Sequence, residues 1–156
     1  MHPLVAEAIR KAHEMRNRYY VAGYAPGTIF KKIYKDYNIE VRYDQHGADL
    51  RKEDDKYIIT LPRDTSAKRD AYTIACDIGR IVFGCDLSRG SSLHLPDLSG
   101  KDIQPHRFAA EFLMPEDEVR KVCKESGNNV EQVALHFGVS ESVAGIWMAF
   151  LGIDWS

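Results

Sequence analysis

The sequence predicts an α+β fold in which N-terminal helices, a small antiparallel sheet, a central helix and a helical C-terminal part share one core. Three observations carry this. Apolar residues recur at helical spacing near the amino terminus, from Ala71 to Val82, and again beyond Arg107. Between the first two of these stretches, "IEVRY" and "KYIITLP" have the alternation or the β-branched and aromatic content of strands. No internal repeat or low-complexity segment divides the chain. At 156 residues, 44% of them apolar or aromatic, it is expected to be one domain, 1–156, with enough apolar surface for one substantial core.

Leu4, Ala8, Ile9, Ala12 and Met15 define the first helix, which ends near "AGYAPGT". Pro26 and Gly27 open a second helix with Ile29, Phe30, Ile33 and Tyr37 on one side, and Asn38 is suited to end it. "IEVRY" and "KYIITLP" follow as strands. The charged "LRKEDD" between them reads as an edge strand or hairpin turn. Asp64, Thr65 or Ser66 caps the central helix, whose wide apolar face runs from Ala71 to Val82 and stops near Gly84. "CDLSRGSSLHLPDLSGKD" has the composition of a long surface loop, with His94 exposed in it. "HRFAAEFL" is a short helix closed by Met114 and Pro115, and "EDEVRKVCKES" is the next. The closing segment reads as two helices joined at Gly138, with His136 at a helix end and Trp147, Phe150 and Trp155 in core or C-terminal packing.

Net charge and cysteine usage narrow the class of function. A formal charge of −2 gives no attraction to nucleic acid or to an anionic membrane surface. Cys76, Cys85 and Cys123 are odd in number and irregularly spaced, which points to a reducing cytoplasm rather than a disulfide scaffold. The amino terminus mixes charge with apolar residues and lacks the core of a signal peptide, and no later segment reads as a membrane span. The expectation is a soluble, cytoplasmic protein.

The stretch "DAYTIACDIGRIVFG", Asp70 to Gly84, has the frame of a zinc-peptidase helix. In H-E-x-x-H two histidines one helical turn apart project onto a metal, and the intervening glutamate activates its water. In "CDIGR", Cys76 and Arg80 take the histidine positions and Asp77 that of the glutamate. The wider context is a strand ending at Pro62, the capped helix "RDAYTIACDIGRIVF", a loop, and then "QPHRFAAEFLMPEDEV". This arrangement resembles the ImmA/IrrE family of bacterial and phage metallopeptidases. Its members carry a helix like "R-F-T-x-A-H-E-x-G-H-x-x-x-H" and later "E-x-x-A-N-x-F-A-A-x-L-L-M-P". The resemblance runs from about Ile29 to Ile153 and is most distinctive from Arg107 to Pro115.

The resemblance implies a zincin-like domain and a site whose parts are all replaced here. Cys76 and Arg80 stand for the two histidine ligands, Asp77 for the general base, and Gln104 for the acidic third ligand. His106 stands where the family has asparagine, as a replacement ligand or a polar helix residue. A cysteine thiolate binds zinc, so Cys76 alone leaves metal binding open. Arg80 is the stronger objection, because guanidinium stays protonated and offers no lone pair. Its charge about 4 Å from a divalent ion would cost about 8 kcal/mol at an effective dielectric near 20. Gln104 offers only a neutral amide oxygen, and Asp77 is a methylene shorter than glutamate.

Each residue has a plainer reading. Cys76 is read first as a small buried thiol packing like alanine. Asp77 and Arg80, three apart, form either an exposed ion pair or a cluster in which Arg80 fills the metal pocket and bonds Asp77 and the Gln104 carbonyl. "VEQVALHFGVSESVAGIW" fits a helix-turn-helix within about 128–153. No lysine or arginine follows Lys124, however, and Glu125, Glu131, Glu141 and Asp154 are acidic, which disfavours direct DNA binding.

The functional expectation is a catalytically degenerate homologue with no catalytic residue, metal or cofactor, acting as a protein-binding regulator. The resemblance implies a transcriptional repressor of a phage or mobile element as its partner. The alternative is a zinc-dependent peptidase with a non-standard site of Cys76, Asp77 and His106 that cleaves a repressor-like protein.

Overall fold

The computed structural model describes residues 1–45, 47–87 and 95–156. Among them the order is α1 (Pro3–Tyr19), α2 (Pro26–Tyr37), β1 (Ile39–Asp44), β2 (Asp49–Glu53), β3 (Lys56–Pro62), α3 (Ala67–Val82), α4 (Ile103–Leu113), α5 (Glu116–Ser126), α6 (Val130–Phe137) and α7 (Glu141–Phe150). This is the expected α+β architecture. No single helix among the described residues is long and apolar enough to cross a membrane. His94, expected in an exposed loop, lies outside the described residues.

Helix ends follow local chemistry. Pro26 sits in the first turn of α2, and Asn38 ends that helix in the left-handed conformation at φ 55°, which asparagine tolerates well. Of the three capping candidates for α3, Ser66 does the work, its hydroxyl accepting from the Arg69 amide at 3.3 Å. In α1 the buried stripe is Val5, Ala8, Ala12, Met15 and Tyr19. Leu4 is exposed and Ile9 only half-buried, so the stripe lies one position further round than the spacing from Leu4 suggested.

The sheet departs from the expected all-antiparallel pairing. β2 and β3 form an antiparallel hairpin, but β1 pairs parallel to β3, giving the order β1-β3-β2. Burial explains the order. Ile58, Ile59, Thr60 and Leu61 of β3 are all buried, so this strand takes the centre, and the more charged β1 and β2 take the edges.

The helices that matter for the site are α3, α4 and α1, with α4 packed between the other two. A Cβ added at Gly79 would lie 2.9 Å from the Phe108 ring and 3.1 Å from the Pro105 Cα. The missing side chain is therefore what lets α3 and α4 approach. On the other side of α4, Arg16 donates to the Phe112 carbonyl at 2.7 Å and bonds Glu118 at 3.0 Å, while His13 bonds Glu111 at 2.9 Å. Phe108 and Phe112 stack at 5.7 Å, and the Trp147 indole donates to the Met114 carbonyl at 2.8 Å, tying α7 to the end of α4.

Gly79→Ala should therefore destabilise the protein by about 1–3 kcal/mol, since Pro105 is backbone that cannot step aside cheaply. Urea denaturation measures this. Alanine is otherwise the better helix former by about 1 kcal/mol, so a raised midpoint would show that the contact is soft.

Candidate functional site

Four buried polar residues recur along α3 at helical spacing: Asp70, Thr73, Asp77 and Arg80. They form one polar seam in an otherwise apolar helix face. Asp77 is 1% exposed and Arg80 7%, so both are buried and not on the exposed surface considered for them. Tyr34 of α2 feels the seam. Its hydroxyl is pushed far above its ordinary pKa by burial first, then by Tyr43, Asp70 and Asp77.

Arg80 has a partner that helical spacing did not reveal. Its Nη2 lies 3.3 Å from Asp102 Oδ2. Asp102 occupies the N-cap of α4, a position where aspartate normally accepts from the helix's own amides, yet it makes no side-chain cap bond. Its carboxylate is turned to the guanidinium instead. Gln104, the other partner considered, is half-buried in the first turn of α4.

Cys76 is 3% exposed, one turn before Arg80. Burial above all, with the neighbouring charge of Asp77, pushes its thiol pKa up, while Arg80 opposes this. The thiol is thereby held protonated and poor as a nucleophile.

His106, fully buried on α4, is fixed by two residues the sequence did not mark. Its Nδ1 lies 2.7 Å from the Tyr72 hydroxyl and accepts from the Asp97 amide at 3.1 Å. An amide can only donate, so Nδ1 is the unprotonated nitrogen and the proton is assigned to Nε2. Nε2 is buried without a hydrogen-bond partner among the described residues. Burial is the chief influence lowering the pKa of His106; Asp97 opposes it, Arg80 adds to it, and Asp102 opposes it.

The structure thus brings Cys76, Asp77 and Arg80 onto the buried part of α3 and places Gln104 and His106 on the helix packed against it. Among the described residues no three His, Cys, Asp or Glu side chains group closely enough to hold a metal ion. The donor set does not fit zinc either. A guanidinium has no lone pair and Arg80 is engaged by a carboxylate, so Cys76, Arg80 and Gln104 do not supply the three basic ligands of a tetrahedral site.

A three-stranded sheet leading into a capped helix, with a second helix crossing it at a glycine, is the zincin-like arrangement that metallopeptidases build their sites on. The particular family follows from comparison. Residues 28–146 match the Peptidase_M78 family, described as the IrrE N-terminal-like domain, and the chain belongs to it. No curated protein matches the chain.

Two outcomes follow from the site. Arg80→Ala should lower stability by about 1–3 kcal/mol, because it empties the space of a buried side chain and takes the charged donor from Asp102, whose share is reduced by its exposure. An unchanged denaturation midpoint would mean that the guanidinium contributes nothing.

The second concerns pH. As pH falls below 6.5, the ordinary histidine value, the unfolded chain binds a proton that folded His106 refuses. Stability should fall until the lower folded pKa is passed. In His106→Asn the amide oxygen can replace Nδ1 as acceptor and this part of the pH slope should vanish; an unaltered slope would assign it to other groups.

Proposed function

We propose that this chain is a member of the IrrE N-terminal-like family that has lost metal-dependent hydrolysis and acts by binding another protein. The observation that carries the reading is Arg80, a buried cation bonded to Asp102 at the position of the second metal ligand. A protonated guanidinium there both lacks a lone pair and repels a divalent ion. The neutral amide of Gln104 supports it from the third ligand position. The partner class that the family implies is a transcriptional repressor of a phage or mobile element, met in a reducing cytoplasm.

Direct DNA binding is not part of this reading. The chain bends by 109° between α6 and α7, an angle that suits a helix-turn-helix, but electrostatics works against a phosphate backbone. No lysine or arginine follows Lys124, and Glu131 and Glu141 lie in the first turns of these helices.

Metal analysis tests the proposal. Protein purified without chelator should carry no stoichiometric zinc. The fourfold variant Cys76→His, Asp77→Glu, Arg80→His, Gln104→Glu, which rebuilds two imidazoles and two carboxylates, should take up about one equivalent. Tight zinc held through Cys76 in the natural protein would overturn the reading. So would metal-dependent cleavage of a repressor-like substrate that Asp77→Ala abolishes without unfolding the chain. Either result would favour a peptidase using Cys76, Asp77 and His106.

A further inference from the structure

A cavity of about 170 Å³ lies at the first turns of α3, beside Ala48 and Pro62, where β2 begins and β3 ends. None of the motif positions lines it. Asp70 and Thr73, the first two members of the polar seam, line it although they are only 7% and 5% exposed. Thr65 donates a hydrogen bond to the Asp70 carboxylate, but among the described residues no lysine or arginine forms an ion pair with it. Arg69, exposed at the rim, acts on it only through space. The Thr73 hydroxyl has no hydrogen-bond partner among the described residues. Burial above all raises the pKa of Asp70, while Thr65 and Arg69 lower it.

An acid in the first turn of a helix has a plain role, since it offsets the positive end of the dipole. An exposed acid would do this without being taken out of water. A buried carboxylate with no countercharge in its own chain is costly, and a cation entering the cavity relieves that cost. Charge and size narrow the occupant. Asp64 and Asp70 outnumber Arg69 in the lining, and the acid at the floor is the buried one. Two carboxylates are few for a calcium-type site, and among the described residues no three His, Cys, Asp or Glu side chains group closely enough to hold a metal ion. Small-molecule pockets usually run from about 300 to 1,000 Å³, so this one has room for the end of one side chain rather than a whole metabolite. An ammonium or a guanidinium supplies only donors, and Asp70 and Thr73 offer the acceptors.

We infer that this cavity receives one lysine or arginine side chain of the partner protein, its cationic end bonded to the Asp70 carboxylate and the Thr73 hydroxyl, with Asp64 at the rim facing the same charge. The inference rests on the protein-binding reading and gives the partner a chemical character, a basic residue projecting from its contact surface. A DNA-binding repressor displays such residues to meet phosphates. Zinc analysis tests the loss of hydrolysis and the peptides below test the pocket, so the two can fail separately.

The test uses the full chain, ¹⁵N-labelled, and end-blocked alanine pentapeptides whose central residue is lysine, arginine or norleucine. The lysine and arginine peptides should shift the amides of Ala48, Asp70 and Thr73, and the norleucine peptide, alike in length but uncharged, should leave them unmoved. Asp70→Asn keeps the shape and drops the charge, and should weaken the basic peptides by about tenfold or more. Thr73→Val should weaken them by about threefold. Asp64→Asn alters an exposed rim residue and should cost about threefold as well, so the charge assignment stays testable even where Asp70→Asn disturbs the helix start. Asp117→Asn, exposed on α5, should change nothing. Norleucine binding as well as lysine, or binding undiminished in Asp70→Asn and Asp64→Asn, would overturn the site. Methylammonium binding as tightly as the lysine peptide, or Mg²⁺ moving the same amides at the same concentration, would make it a site for a free cation and overturn the docking role.

Discussion

The contact of Gly79 with Pro105 and Phe108 sets the distance between the two helices from which the site is built. A glycine inside a helix costs about 1 kcal/mol relative to alanine, so its presence there works against helix propensity and for packing. The quoted family pattern has glycine at the same place in its motif, one residue before the second ligand. In a metal-binding member this approach would let a residue of the second helix share an ion with two residues of the first. In this chain it brings the start of α4 to Arg80, and Asp102 is the residue that meets it. The geometry that could serve a metal serves an ion pair.

That ion pair is a poor source of stability on its own. Removing a guanidinium from water costs several kcal/mol, and one contact at 3.3 Å to a carboxylate that is still 38% exposed cannot return all of it. Asp77, 1% exposed on the same helix, carries a desolvation cost of its own. A purely apolar set of residues would pack these positions with less penalty. The polar seam from Asp70 to Arg80 thus keeps ionisable groups buried at a cost that apolar residues would not carry.

Local physics made much of the fold legible. Apolar spacing marked α1, α2 and α3, and the capping chemistry of Asn38, Ser66 and Gly138 put the end of α2, the start of α3 and the end of α6 within a few residues. The burial of Cys76 was legible because "YTIAC" is nearly continuous in apolar residues. The pairing of β1 was not. Alternation in "IEVRY" predicts one buried face, which Ile39 keeps and the exposed Tyr43 does not, and it carries no information on which strand lies beside it or in which direction. Arg80 shows the same limit on the scale of a side chain. Helical spacing offered Asp77 as a neighbour, whereas Asp102 lies 22 positions away across a segment that reads only as loop. Asp97 and Tyr72 became visible as partners of His106 for the same reason, once the chain was folded.

The family match covers residues 28–146, so α1 lies outside it, yet α1 is joined to the matched fold at its centre. His13 reaches Glu111 and Arg16 reaches the Phe112 carbonyl, both on α4, which holds Gln104 and His106 against α3. The same Arg16 guanidinium stacks on Tyr20 at the wall of an apolar cavity between the α1–α2 connection and the α6–α7 turn. One helix therefore buttresses the site on one side of α4 and shapes a separate surface at its own C-terminal end. Loss of the metal ligands would leave α1 and that surface intact, because none of the substituted positions lines the cavity. The contacts that build the cavity are the ones that hold the helices together, so the cavity does not depend on what the buried part of α3 does chemically.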